Sequence, residues 1–210
     1  MGTTQAEAIL LLAKSRPYFN LSDAKKVGTP RVVLTRLVRE GQLERVSRGL
    51  YRHPQSPISQ NSDLLKVAHH SGQGVFCLLT ALRFHGITPH LLSGVWLGIP
   101  HQSKPPRLSC AGLNITRFSR AIYLEGIETH EINGFPIRVY SVARTLADCF
   151  KFREKIGMHI VLKALHYAWV WQHVAMHDLL HYARICKVEH VMQPYLESLV
   201  WCKQNHGVQA

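Results

Sequence analysis

Residues 29–52, TPRVVLTRLVREGQLERVSRGLYR, combine a basic helical stretch with a basic hairpin, and this combination most constrains the fold. Thr29 is a hydroxyl residue placed to cap the start of a helix, and Pro30 suits the first helical position. Gly41 predicts the end of that helix, because glycine enters the left-handed backbone conformation at little cost. The sequence therefore predicts a helix over residues 30–40.

A short hairpin is predicted directly after this helix. Residues 43–46 and 50–52 are β-like runs, and the turn-forming cluster Ser47-Arg48-Gly49 lies between them. Together, the helix and the basic hairpin predict a winged helix-turn-helix, whose usual partner is duplex nucleic acid.

Two supporting helices are predicted before residue 29. Residues 5–14 carry an amphipathic apolar set, and Ser22 is the predicted N-cap of a short helix over residues 23–27. An isolated basic helix is most often just a solvated helix. Contact with DNA is favoured by the order of the predicted elements, which is helix, turn, helix, glycine and basic hairpin.

The two faces of the predicted third helix differ in chemistry. The apolar face, which would pack onto the earlier helices, consists of Val33, Leu34, Leu37 and Val38. Arginine on the opposite face can donate to guanine edges, a methyl group can contact thymine, and wing arginines can reach phosphates or the minor groove. With the helix start and the wing included, the predicted DNA-binding residues are Thr29, Arg31, Val32, Thr35, Arg36, Arg39, Arg45, Arg48 and Arg52.

Composition and charge narrow the class of protein. Apolar residues make up 46% of the 210 residues and charged residues 18%, which indicates a globular chain rather than a disordered one. The net charge of +12 favours a polyanionic partner. Residues 1–54 hold ten Lys/Arg and four Asp/Glu, a net of +6, so the charge is concentrated around the predicted winged helix. A membrane surface is not favoured, because no basic amphipathic helix with a broad apolar face accompanies the charge.

The cysteines predict a reducing compartment. Five cysteines are scattered along the chain without a CxxC pair, and the apolar run at residues 8–13 lacks the basic leader and cleavage site of a signal peptide. We therefore expect a cytoplasmic protein with reduced thiols.

The remaining chain predicts a second domain of α+β class. The Pro- and Ser-containing residues 53–62 predict a linker, so the expected domains are residues 1–54 and 55–210. Asn133-Gly134 is a strong hairpin signal between two strand-like runs. The expected helices are 63–69, 75–85, 142–153, 158–172, 177–186 and 188–202, the last interrupted near Pro194, and the expected strands are 95–99, 114–118, 127–132 and 135–140. The fold class is thus a winged helix-turn-helix followed by a mixed α/β domain that ends in helices.

The helix after Tyr140 carries a charged side. Ser141 is its predicted N-cap, and Arg144, Asp148 and Lys151 are expected to lie together, opposite an apolar stripe. One interpretation is a functional cluster. The other is an exposed ion pair between residues one turn apart, which would contribute only about a few tenths of a kcal/mol.

Five segments of the chain resemble one known family: LVREGQLERVSRGLY at 37–51, LTALRFHGIT at 79–88, YSVARTLADCFKFREKIG at 140–157, DLLHYARICKV at 178–188 and PYLESL at 194–199. They are similar to the AbiEi family, the antitoxins of abortive-infection E-type systems. The resemblance implies a bacterial repressor whose winged helix binds operator DNA and autoregulates its operon. It also implies a second domain that counteracts a nucleotidyltransferase toxin in a type IV phage-defence system, in which direct contact with the toxin is not required.

Carried onto this chain, the resemblance implies DNA contact by the basic helix and wing. For antitoxin function it points to the charged residues of its most specific segment, Arg144, Asp148, Lys151 and Arg153. Ala143 occupies a position where the family often has an acidic residue.

The sequence supports a catalytic function less well than it supports DNA binding. His173, His177 and His181 have helical spacing, but the glutamate of the zinc-protease signature is missing. Glu125, Glu128 and Glu131 do not form the carboxylate cluster that a magnesium nuclease needs. We therefore expect no enzyme activity, cofactor or metal. The alternatives are a nucleic-acid enzyme with a metal-dependent second domain, and a ligand-sensing regulator without a toxin partner.

Overall fold

The computed structural model describes residues 4–56, 62–88, 94–106, 108, 112–171 and 173–206, without the side chains of residues 203, 204 and 206. Most of the predicted linker, together with Cys110 and the end of the helix expected at 158–172, lies outside the described residues. The chain divides into two compact units. The first comprises residues up to 72 with the segments 106–108 and 130–137, and the second comprises the remainder.

The first unit contains four helices and a small antiparallel sheet. The sheet order β1-β3-β2 places the last strand between the other two, and the architecture is consistent with the predicted winged helix-turn-helix. The elements are α1 Gln5–Ser15, β1 Phe19–Asn20, α2 Leu21–Lys26, α3 Arg31–Arg39, β2 Glu44–Ser47, β3 Leu50–Arg52 and α4 Ser62–Ser71.

Both predicted N-caps of this unit are wrong. Asn20, not Ser22, caps α2, because its Oδ1 accepts hydrogen bonds from the amides of Ser22 at 2.7 Å and Asp23 at 3.0 Å. Pro30 occupies the cap position of α3, and no side chain bonds there. The Thr29 hydroxyl instead donates to the carbonyl of Gln5 at 3.0 Å, which ties the start of α3 to α1.

The predicted end of α3 is confirmed. Gly41 has φ +72°, its amide donates to Val38 at 3.2 Å, and the amide of Gln42 donates to Leu37 at 2.9 Å. This pair of bonds is a Schellman motif, which satisfies carbonyls at the helix end and turns the chain into the wing. The two wing strands agree with the sequence prediction to within one residue.

Among the described residues, two apolar clusters hold the first unit together. Leu34 and Leu37 of α3 are buried with Ile9 of α1, as the helical periodicity predicts. In the second cluster, Leu50 of the wing packs with Leu65 of α4 and Tyr18, against the partly buried Ile132 and Phe135. The compact unit therefore continues past residue 54, while the domain boundary at that residue stays a prediction.

The second unit is built on a mixed sheet with helices after it. In the sheet order β6-β5-β4-β8-β7, β4 is antiparallel to β5 and parallel to β8, and β5 is parallel to β6. The remaining described elements are β4 Val75–Phe76, α5 Leu78–Phe84, β5 Val95–Pro100, β6 Leu113–Phe118, α6 Arg120–Tyr123, β7 Ile127–Ile132, β8 Phe135–Tyr140, α7 Val142–Lys151, α8 Arg153–Ile156, α9 Met158–Val170, α10 Met176–Ile185 and α11 Glu189–His206. Residues 130–132 of β7 and 135–137 of β8 belong to the first unit. Among the described helices, none has the length and apolarity needed to cross a bilayer.

Two helix predictions in this unit need correction. The helix expected over residues 75–85 is a strand followed by a helix, because Val75 and Phe76 pair with β5 and β8 in the middle of the sheet. The interruption expected near Pro194 is absent, and α11 passes through it. The carbonyl that loses its partner there belongs to exposed His190, where water can replace the missing bond. By contrast, the Asn133-Gly134 turn has the predicted positive φ angles, +52° and +81°.

The predicted charged side of α7 is not a surface. Ser141 caps the helix as predicted, but every residue from 143 to 150 is buried, including Arg144 and Asp148 at 0% exposure. Neighbouring helices α5, α9, α10 and α11 contact α7 and exclude water from it. The interpretation of Arg144 and Asp148 as an exposed ion pair is therefore wrong.

Arg144 is the polar centre of this core. Its Nε donates to Asp148 at 3.0 Å, and its Nη1 donates to the carbonyls of Ile122 at 2.7 Å and Glu125 at 3.1 Å. The guanidinium carbon lies 4.6 Å from the centroid of the Tyr140 ring, a cation–π contact. Nη2 is buried without a hydrogen-bond partner among the described residues. The side chain thus ties α7 to the chain segment around α6.

Burial and pairing act in opposite directions on the ionisable groups of this core. Burial is the largest influence and alone would lower the pKa of Arg144, but Asp148, Cys186 and Tyr140 together outweigh it and raise that pKa. Burial raises the pKa of Asp148, and the Arg144 guanidinium opposes the rise. Burial also raises the pKa of Cys186 to about 12, so its thiol is neutral and donates to Asp148 at 3.4 Å.

We predict that Arg144→Ala lowers the free energy of unfolding by about 3–5 kcal/mol, because Asp148 loses its buried partner. The double variant Arg144→Met, Asp148→Leu should lose less, since neither charge then remains. Lys151→Ala, an exposed position on the same helix, is the control and should stay within about 0.5 kcal/mol of the parent. Urea unfolding followed by circular dichroism measures all three. Equal stability of Arg144→Ala and Lys151→Ala would contradict this account.

Candidate nucleic-acid interface

The outer face of α3 is open to solvent. All five residues predicted for this face are exposed, and Val32 is 72% exposed. Because Leu34 and Leu37 anchor the opposite side, the exposed face is held on a packed scaffold. The face consists of Arg31, Val32, Thr35, Arg36 and Arg39.

The side chains of this face differ in whether they already contact another residue of the protein. The Thr35 hydroxyl donates to the carbonyl of Arg31 at 3.1 Å, so its methyl group is what remains for an apolar contact. The Arg36 Nε lies 3.7 Å from a carboxylate oxygen of Glu40. Within the described part of the chain, the guanidinium groups of Arg31 and Arg39 form no ion pair.

The wing presents two further arginines. Arg45 on β2 and Arg48 in the turn are both exposed, and a register shift between Arg45 and Ser47 marks a bulge in the β2–β3 pairing. Gly49 has φ +83°, and a Cβ there would lie 3.2 Å from Nε2 of His69 on α4. Burial lowers the pKa of His69, which favours the neutral imidazole at this close contact. This support of the wing by α4 was not predicted from the sequence.

Two predicted contact residues point inward. Arg52 is 9% exposed, and its guanidinium donates to Glu44 at 2.6 Å and 2.8 Å and to the carbonyl of Ser56 at 3.1 Å. The reason is that β3 is the central strand, so Leu50, Tyr51 and Arg52 are all buried. Thr29 is 2% exposed, with its hydroxyl committed to α1.

The four residues considered for antitoxin function do not form one surface. Arg144 and Asp148 belong to the core, and only Lys151 is exposed. Arg153 is partly buried and donates to the carbonyl of Phe150 at 3.0 Å. Of the four, only Lys151 is exposed for contact with a partner, and the antitoxin role of the segment stays a prediction.

The histidine spacing does not assemble a metal site. His173 precedes α10, whereas His177 and His181 lie within it, so one helix does not align the three. Among the described residues, no group of three or more His, Cys, Asp or Glu side chains could hold a metal ion.

Comparison with known proteins bears on the first unit. Residues 7–54, which run from α1 to the end of the wing, match the family model described as transcriptional regulator, AbiEi antitoxin. No curated protein matches the chain significantly. The match covers the basic face of α3 and both exposed wing arginines, whereas the resemblance of the later segments stays a prediction. For residues 7–54, the match confirms the similarity to the AbiEi antitoxin regulators that the sequence indicated.

Proposed function

We propose that this protein is a DNA-binding transcriptional repressor that acts as the antitoxin of a type IV toxin–antitoxin system and represses its own operon. The observation that carries the proposal is the exposed arginine-rich face of α3 beside two exposed wing arginines, within a segment that matches the AbiEi regulators. Exposed guanidinium groups on a rigid helix and hairpin suit the phosphates and base edges of duplex DNA. The proposal assigns no catalytic step to the chain.

In the proposed complex, α3 lies in the major groove. The first residues of a recognition helix contact base edges, which places Arg31 and Val32 at the bases. Val32 offers methyl groups to a thymine methyl, and Arg31 offers paired donors to a guanine. Arg45 and Arg48 of the wing contact phosphates or the adjacent minor groove. Thr29 and Arg52, which are buried, act indirectly by fixing α3 and the wing.

The second unit has the antitoxin role in this proposal. The resemblance of its α7 segment implies that it counteracts a nucleotidyltransferase toxin in the cytoplasm, with or without direct contact. Because Arg144 and Asp148 are buried, they serve the stability of this unit rather than a contact surface. Lys151 is the exposed member of the segment and remains available to a partner.

We predict that the triple variant Arg31→Ala, Arg36→Ala, Arg39→Ala loses duplex binding by roughly a hundred-fold or more, since each base-reading arginine contributes about 1–3 kcal/mol. The matched control Arg120→Ala, Lys151→Ala, Lys155→Ala removes the same charge from exposed positions of the second unit and should bind nearly as the parent does. Mobility shifts with duplex from upstream of the gene measure both. Equal affinity of triple variant and parent would contradict the placement of α3.

A second prediction concerns Glu40. Its carboxylate lies 3.7 Å from Arg36 and competes with DNA for that guanidinium. Glu40→Gln should therefore tighten duplex binding, by roughly three-fold at low salt, with a smaller gain as salt screens the charge. Glu7→Gln, also exposed and on α1, is the control for a change in net charge. The same tightening in both variants would argue against specific competition at Arg36.

The two proposed roles are expected to separate in cells. The α3 triple variant should derepress a reporter under the gene's own promoter, yet still protect cells from the nucleotidyltransferase encoded alongside. All three substitutions lie in the first unit, so the second unit keeps its own sequence and core. Loss of protection at equal protein level would show that neutralisation depends on DNA binding.

A further inference from the structure

We propose that the second unit carries a separate binding site for single-stranded RNA, formed by an aromatic platform at the end of α9 and an adjoining polar cavity. The aromatic platform consists of Tyr167, Trp171 and His173. This RNA-binding site goes beyond the proposed function, which involves duplex DNA and the first unit.

The rings of the platform do not pack into the hydrophobic core. Trp171 is 64% exposed and Tyr167 is 37% exposed. The Tyr167 ring lies 5.9 Å from that of Trp171 and 6.2 Å from that of His173, nearly parallel to the latter with an interplanar angle of 11°. Successive unpaired bases stack on such exposed rings in single-strand-binding proteins, and stacking tolerates any base.

The charge around the platform suits a polyanion. Residues 158–177 contain Lys163 and four histidines but no Asp or Glu. Lys163 is exposed and lies one turn before Tyr167 on α9, so its ammonium group is available to the phosphate next to a stacked base. The carboxylates of Asp178 and Glu128 line the adjoining cavity and do not belong to α9. On α9 itself a phosphate meets Lys163 and no carboxylate, which favours a nucleic acid over an apolar protein partner.

An adjoining cavity favours RNA over DNA. His173 of the platform also lines a cavity of about 330 Å³ whose wall includes Asp178, Glu128 and Ser141. The wall is predominantly polar. Oδ1 of Asp178 lies 3.3 Å from Nε2 of His177, and the carboxylate keeps further lone pairs that can accept a hydrogen bond from a ribose 2′-hydroxyl. DNA lacks that hydroxyl, which is the group that lets a protein distinguish RNA from DNA.

The test uses the full chain carrying the α3 triple substitution, so that the winged helix does not contribute. Fluorescence anisotropy with a labelled oligouridine of about twelve nucleotides, a length within the range of known single-strand sites, measures binding. Trp171→Ala should weaken binding roughly ten-fold and Trp171→Phe much less, since the ring is retained. Trp201→Ala, which removes another exposed tryptophan of the same unit, is the matched control and should have no effect.

Two further arms test the chemistry of the ligand. Lys163→Ala should flatten the salt dependence by about 0.7 in the log–log slope, as expected for one lost phosphate contact on a single strand. Asp178→Ala, which removes the acceptor oxygens, should reduce the preference for oligouridine over oligodeoxyuridine, an oligomer that differs only in the 2′-hydroxyl. A chain that binds both oligomers equally would overturn the assignment to RNA.

Other outcomes would overturn the site itself. The site would be contradicted if the α3 triple variant did not bind oligouridine. It would also be contradicted if Trp171→Ala and Trp201→Ala lost affinity for oligouridine equally. A lower sedimenting mass of Trp171→Ala would identify the platform as a contact between copies of the chain instead. Because duplex binding is measured on the parent chain, failure of this site leaves the proposed repressor function untouched, and the reverse also holds.

Discussion

The desolvation of arginine decides which surfaces this protein offers. A guanidinium group leaves water only where a carboxylate and carbonyl oxygens replace the lost hydrogen bonds. Arg52 meets this condition through Glu44 and Ser56, and Arg144 meets it through Asp148 and two carbonyls. Arg31 and Arg39 lack such partners among the described residues and remain exposed, which makes them available to phosphates and bases. The same residue type is thus structural in the strands and in α7, and exposed on α3.

Local patterns predicted much of the fold. Four features are each determined by neighbouring residues, and all four predictions are confirmed. They are the helical periodicity of α3, the glycine that ends it, the wing strands and the Asn133-Gly134 hairpin. The short strands β1 and β4 were missed because two residues carry no periodicity, and their pairing with distant strands determines them. The caps failed for a similar reason: a hydroxyl can bond anywhere within reach, and Thr29 bonds to α1.

The exposure of the candidate site residues was predictable on helix α3, where helical periodicity determines it. It was not predictable in the wing sheet or in the core around α7. Helical periodicity placed five residues of α3 correctly on the outer face. It could not show that β3 is covered on both faces, which buries Arg52. Nor could it show that neighbouring helices surround α7, so the charged pair of Arg144 and Asp148 resembled a surface pair in the sequence. The aromatic platform was missed because its rings have the same types and spacing as core residues.

The match to residues 7–54 does not contain all of the structure that supports the wing. Leu50 of β3 packs with Leu65 of α4, and His69 of α4 approaches the wing turn at Gly49. Since a hairpin of two short strands is marginal alone in water, these contacts contribute to the rigidity that phosphate recognition requires. If the protein binds DNA as proposed, a substitution in α4 weakens that binding without touching DNA. The supported wing is accordingly larger than the segment that matches the family model.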